Sequence, residues 1–167
     1  MTLKDISVKK FILINEIITS NHYTTEIDKE IDILSELHSK SEDFFLNLSL
    51  PKFKSYLEGL EFLKLDNVTP AALKYIKANG KTYAPIYDYA KLTAAQFIDV
   101  THFAKDTENF ISNIPKILAS ICVPTKRTLT GRQLLKYDSE KHSQISEDME
   151  AANMYDAFAI AVFFCTR

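Results

Sequence analysis

Glycine occurs only three times in 167 residues, as Gly59, Gly80 and Gly131, each standing alone. This scarcity narrows what the chain can become. Glycine averages about 7% of residues in ordinary chains. A phosphate-cradling loop brings backbone N–H groups up to an anion through conformations that a β-carbon forbids, so it needs several glycines close together. The sequence has no such cluster, which sets aside P-loop, kinase-type and dinucleotide-binding readings. Catalysis that does not depend on glycine loops stays open.

The length matches about one domain, with enough chain to bury roughly 70% of its unfolded surface, so residues 1–167 are read as a single domain. Hydrophobic residues make up 46% and charged residues 25%, the values of a soluble globular protein. Eleven Phe and eight Tyr supply large pieces of core. The formal net charge of −2 provides no global basic field for nucleic acid. Cys122 and Cys165 both sit in apolar runs and read as buried, reduced thiols. The N-terminus lacks the basic start and apolar stretch of a secretory signal. The longest apolar run, Ala157 to Cys165, is nine residues, against the ~20 that span a bilayer. A cytoplasmic protein without a membrane span is expected.

Apolar spacing predicts a mainly α fold, a bundle of short helices with one small antiparallel β-hairpin at about residues 73–87. Val8, Phe11, Ile12, Ile14, Ile17 and Ile18 fall at three- and four-residue intervals behind Ser7, a capping residue. A second helix follows Thr24 or Thr25, with Ile27, Ile31, Leu34 and Leu37 on one face. Ser41-Glu42-Asp43 opens a short turn, and Ser49-Leu50-Pro51 starts a helix with proline in its first turn. Thr93 caps a helix whose inner face is read as Phe97, Val100, Phe103 and Ala104. A further helix runs from about Phe110 to Pro124, with Pro115 in an early turn. The last helix begins near Ser146 and becomes apolar all round from Ala157, so its end must be enclosed by this subunit or a neighbour.

Asn79-Gly80 lies between Leu73–Ala78 and Lys81–Tyr87 and suits a two-residue type I′ turn, in which both central residues take positive φ. That turn sets Ile76 opposite Tyr83 and places Pro85 on an outer edge. Because a lone hairpin is marginal, it must lie on the helices, join another strand of this chain, or extend a sheet in a partner. Residues 125–144 read as a polar, extended loop carrying Lys126, Arg127, Arg132, Lys136 and Lys141, with Asp138 and Glu140 among them.

Candidate chemistry is sparse. His22, His38, His102 and His142 share no metal-ligand spacing. Asp99 and His102 lie three apart on one predicted helix, and only a third polar group brought in by the fold would make them a site. Neither cysteine has a reactive setting, and no Gly-x-Ser-x-Gly turn presents a serine. The pairs Glu26/Glu30 and Glu147/Glu150 read as solvated helical faces. No catalytic residue, metal site or cofactor is expected. Tyr75, Tyr83, Tyr87 and Tyr89 could stack bases, but an amphipathic hairpin covering a core explains them without a ligand.

Four stretches in order carry a resemblance: SEDFFLNLSLPKFKSYLEGLEFL, KYIKANGKTYAPIYD, KLTAAQFIDVTHFAKD and NIPKILASICVP. With Leu92-Thr93 and Gln96-Phe97-Ile98-Asp99 as its most specific part, the chain from about Thr24 to Pro124 resembles small tail-assembly and virion-associated proteins of tailed bacteriophages, especially crAss-like phages of gut Bacteroidetes. The resemblance implies a non-enzymatic tail, connector-ring or tail-assembly protein. It would work through contacts with other phage proteins in the host cytoplasm and in the virion. A homo-oligomer is expected, with association through Ile76, Tyr83, Phe158, Val162 and Phe163. The alternative is a small helical regulator that binds nucleic acid through 126–141, with Arg127, Arg132 and Lys136 as the loop contacts.

Overall fold

The computed structural model describes residues 1–166, which form eight α-helices and a four-stranded antiparallel sheet. Helix α1 spans Val8–Thr19, and the Ser7 side chain accepts a bond from the Lys10 N–H at its start. Helix α2 spans Glu26–His38 behind Thr25, whose side chain accepts from the Asp28 N–H. Short α3 (Glu42–Leu46) and α4 (Leu50–Glu58) follow, and Gly59–Leu63 winds on as a 3-10 turn. Ile31, Leu34 and Phe45 form a small core of their own, against which Phe53, Tyr56 and Leu57 pack.

The first hairpin pairs β1 (Ile76–Ala78) with β2 (Lys81–Pro85) in the expected register, Ile76 opposite Tyr83. Asn79 and Gly80 take φ of +47° and +72° at the turn. The hairpin joins the chain's own third strand, β3 (Cys122–Thr128), so β2 is an interior strand. Pro85 is therefore not at the edge of the sheet. It is tolerated because β1 stops at the Ile76–Tyr83 pair, leaving no donor position at Pro85 for β1 to use.

Between the two hairpins come α5 (Ala94–Lys105) and α6 (Phe110–Ile121). Thr93 and Gln96 form a reciprocal capping box at the start of α5. The buried face of α5 is Gln96 and Val100, while Phe97 is half exposed and packs edge-on against Tyr89. Gln96 goes inside because its amide also donates to the Ser120 carbonyl at 2.9 Å. Helix α6 is the hub of the main core: Ile114, Ile117, Leu118 and Ile121 are fully buried, each burial being favourable by about 1.5–3 kcal/mol. Pro115 is buried in the second turn of α6, past the first-turn positions that need no donor, which leaves the Ile111 carbonyl without its helical donor.

Residues 125–144 are not a loop. Thr125–Thr128 complete β3, and β4 (Gly131–Leu134) pairs with it, so a second hairpin stands where the sequence suggested irregular chain. The last helical region is also divided. Helix α7 (His142–Glu150) ends before Ala151, and α8 (Met154–Cys165) restarts behind Asn153, whose side chain accepts from the Asp156 N–H. The break receives the N-terminal segment: Val8 donates to the Ala152 carbonyl and Met154 to that of Ile6, and Ser7 bridges Asn153. The apolar end of α8 is enclosed by this subunit, with Ala157, Ala159, Ile160, Ala161 and Phe164 buried. Cys122 is buried, whereas Cys165, the last residue of α8, is exposed.

Candidate interaction site

Strand β3 changes partner halfway along. Cys122, Val123 and Pro124 pair with β2, with Pro124 opposite Tyr83, and from Thr125 onward the same strand pairs with β4. The first half belongs to the body and the second to an arm. All residues from 126 to 136 are exposed, so this hairpin presents both faces to solvent. Leu129 at its tip is fully exposed, and Leu134 is 55% exposed. Between Cys122 and Tyr137 the charged residues are Lys126, Arg127, Arg132 and Lys136, with no acid among them. Arg127 stands directly opposite Arg132, a like-charge cross-strand pair that disfavours the hairpin in isolation. Arg132 offsets part of this by lying over the Tyr75 ring at 5.7 Å and donating to the Thr125 hydroxyl at 3.2 Å. An open basic concavity beside the arm is lined by Lys74, Tyr75, Arg127 and Arg132.

The body anchors the first hairpin through one buried carboxylate. Asp148 on α7 is completely buried and accepts from the Asn79 amide and the Lys81 ammonium, each at 2.7 Å, and from the Tyr83 hydroxyl. Burial alone works to raise its pKa, but the bonds from Lys81, Tyr83 and Asn79 outweigh burial and hold the carboxyl below the ordinary aspartate value. Burial, with the Asp148 bond, pushes the Tyr83 phenol far upward. The group orients the sheet, and its carboxylate is sealed from any ligand. Sequence reasoning gave Asp148 no role, yet it shares a helical stripe with Ile145, Met149 and Ala152, all buried. An acid on such a stripe was the available signal.

A second surface lies on α2–α4. The apolar stripe of α2 extends to Ile27, which is 56% exposed rather than covered, as are Leu46 (63%) and Leu50 (65%) on the neighbouring elements. They line a groove of about 210 Å³ with Ile31, Phe45, Leu48 and Phe53. Small-molecule sites run from about 300 to 1,000 Å³, so this groove suits one or two aliphatic side chains. An adjoining hollow shares Ile31 and Leu46 and adds Asp28, Asp32 and Glu42. Asp32 accepts from the Tyr23 hydroxyl, a bond that pushes the phenol up to about 12.

The residues expected to mediate association divide. Ile76 and Tyr83 are each 1% exposed, inside the chain's own core, because the hairpin uses its apolar face on α7 and β3. Phe158, Val162 and Phe163 are half-buried; Phe158 meets Phe110 and Phe163 meets Tyr87, both edge-on. Arg127, Arg132 and Lys136 are all exposed on the arm. Asp99 and His102 are not joined by a third ligand, and among the described residues no group of three His, Cys, Asp or Glu side chains could hold a metal ion. The Ser120 hydroxyl lies 3.0 Å from His142 Nε2, but Ser120 is completely buried and also donates to the Lys116 carbonyl, so it presents no nucleophile to a substrate. No helix is long and apolar enough to cross a membrane among the described residues. No protein family, curated protein or solved structure matches this chain.

Proposed function

We propose that this protein works through protein–protein contacts rather than catalysis, as a structural or assembly component of a tailed-bacteriophage particle, either a tail or connector-ring subunit or a tail-assembly factor. The observation that carries the reading is the β3–β4 arm: eleven consecutive residues, 126–136, exposed on both faces of a hairpin with an uncovered leucine at its tip. A two-stranded hairpin has little of its own to bury, and a strand edge or ribbon left open in this way is a recurring means of recognising another protein. The resemblance of residues 24–124 to small tail-assembly proteins supplies the particle. The test is fractionation of lysates from infected host cells, with detection of the protein by antibody. It should travel with intact particles, as a ring subunit, or with unassembled tail protein, as an assembly factor. Recovery in neither fraction overturns the proposal.

The acid-free run of four cations, with Arg127 facing Arg132, favours one second reading, a regulator whose arm meets nucleic acid. A two-stranded ribbon fits the major groove of B-form DNA. If all four cations met phosphate, the slope of log affinity against log salt would approach about −3.6. A duplex titration at several salt concentrations showing no salt-sensitive binding ends that reading.

A further inference from the structure

The chain carries two unpartnered surfaces of opposite character, and they share no residue. The arm is wholly basic, ending in exposed Leu129 with Leu134 behind it. The α2–α4 groove is apolar at its floor and acidic at its rim. Residues 24–48 hold seven acids against two lysines, and Asp28 and Glu42 at the groove's edge are exposed. Each surface has what the other lacks. The arm brings cations that repel one another across the hairpin, and the groove offers carboxylates that would neutralise them. The groove's floor is open over a volume suited to a leucine side chain.

We infer that the β3–β4 arm of one copy of this chain docks into the α2–α4 groove of the next, Leu129 entering between Ile27, Leu46 and Leu50 while Arg127 and Arg132 face Asp28 and Glu42. Docked in one direction only, the contact is heterologous and repeated copies close into a ring or extend as a filament; docked reciprocally, two copies close as a two-fold dimer. The association is salt-sensitive, since exposed charges set its rate and register. This deepens the proposed role by naming one partner as the protein itself.

The test uses two full-length variants. Arg127→Glu with Arg132→Glu reverses the arm, and Asp28→Lys with Glu42→Lys reverses the groove. All four side chains are exposed, and circular dichroism checks that each variant folds. Sedimentation velocity at about 50 mM and about 500 mM salt reads the mass. The wild-type chain is expected to associate at low salt and to dissociate at high salt. Each variant alone should lose at least tenfold in association, and an equimolar mixture of the two should recover it, because every reversed arm then meets a reversed groove. A wild-type chain monomeric at low salt, variants that still assemble, or a mixture that fails to recover overturns the inference. So does loss of duplex DNA binding in the arm variant with its self-association unchanged, which assigns the arm to nucleic acid. A monomeric protein that still co-fractionates with tail protein sinks this inference alone, whereas an oligomer found in neither phage fraction sinks the proposed role alone.

Discussion

Replacing Asp148 by alanine removes the one carboxylate that three side chains of the first hairpin share. The cost follows from what each donor can do afterwards. Lys81 has half of its side chain in water and Asn79 is exposed, so both can hydrate. Tyr83 is 1% exposed, and its hydroxyl is left unpaired at about 1–3 kcal/mol. Adding the lost charge-assisted bonds gives about 3 kcal/mol, the low end for breaking a buried pair because the surviving cation is not trapped. At about 2–4 °C per kcal/mol for a chain of this size, the melting temperature should fall by about 6–12 °C. Asp148→Asn keeps the volume and one acceptor oxygen and should cost about half as much.

The pH dependence has a defined sign. Asp148 ionises more readily folded than unfolded, so its contribution is complete above the unfolded value of about 4 and is lost as pH falls through the lower folded value. The gap between wild type and Asp148→Asn should therefore narrow as pH drops below about 4. Thermal unfolding followed at 222 nm, at neutral and acid pH, measures both effects. A shift under about 2 °C for the alanine variant, or a gap that stays constant into acid, would refute the anchoring role.

Leu34→Ala, at a completely buried site of the smaller core, should cost about 2–5 kcal/mol by urea titration without a change in slope. Gly80→Ala meets no neighbouring atom but must hold φ near +72°, so about 1–2 kcal/mol is expected from backbone strain alone. Leu129→Ser, at a tip that touches nothing, should change stability by less than about 0.5 kcal/mol while weakening self-association. A thiol reagent should label Cys165 in the native protein and reach Cys122 only on unfolding, since Cys122 is buried and its pKa is driven far upward by that burial.

Local chemistry was legible in the sequence. Ser7, Thr25 and Thr93 cap the helices they precede, and Asn79-Gly80 sets the Ile76–Tyr83 register, because caps and tight turns are decided within a few residues. What escaped depends on distant partners. Strand β3 takes its extended state from β2 some forty residues earlier, and its outer half, exposed on both faces, shows no alternation of apolar and polar residues to betray it. Ile27 fits the α2 stripe by spacing, and only the tertiary structure reveals that nothing covers it. Asp148 and Gln96 were passed over as buried residues for the same reason: the partners that let a polar side chain go inside come from distant parts of the chain. The break before Met154 had a readable sign in Asn153 with Asp156 three residues on, masked by the apolar run that follows.

The stitching of Ile6, Ser7 and Val8 to Ala152, Asn153 and Met154 has a consequence for synthesis on the ribosome. Helix α1 emerges first of the helices, but the backbone groups that fix its start belong to a turn made well over a hundred residues later. At about 5–20 residues per second, on the order of ten seconds separate the two. During that interval the apolar face of α1 and the fully buried stripe of α6 lack α8 as a floor. The main core can close only after the turn at 152–154 and α8 have left the exit tunnel, so helix α1 waits unfixed while the sheet and helices α2 to α7 are being made.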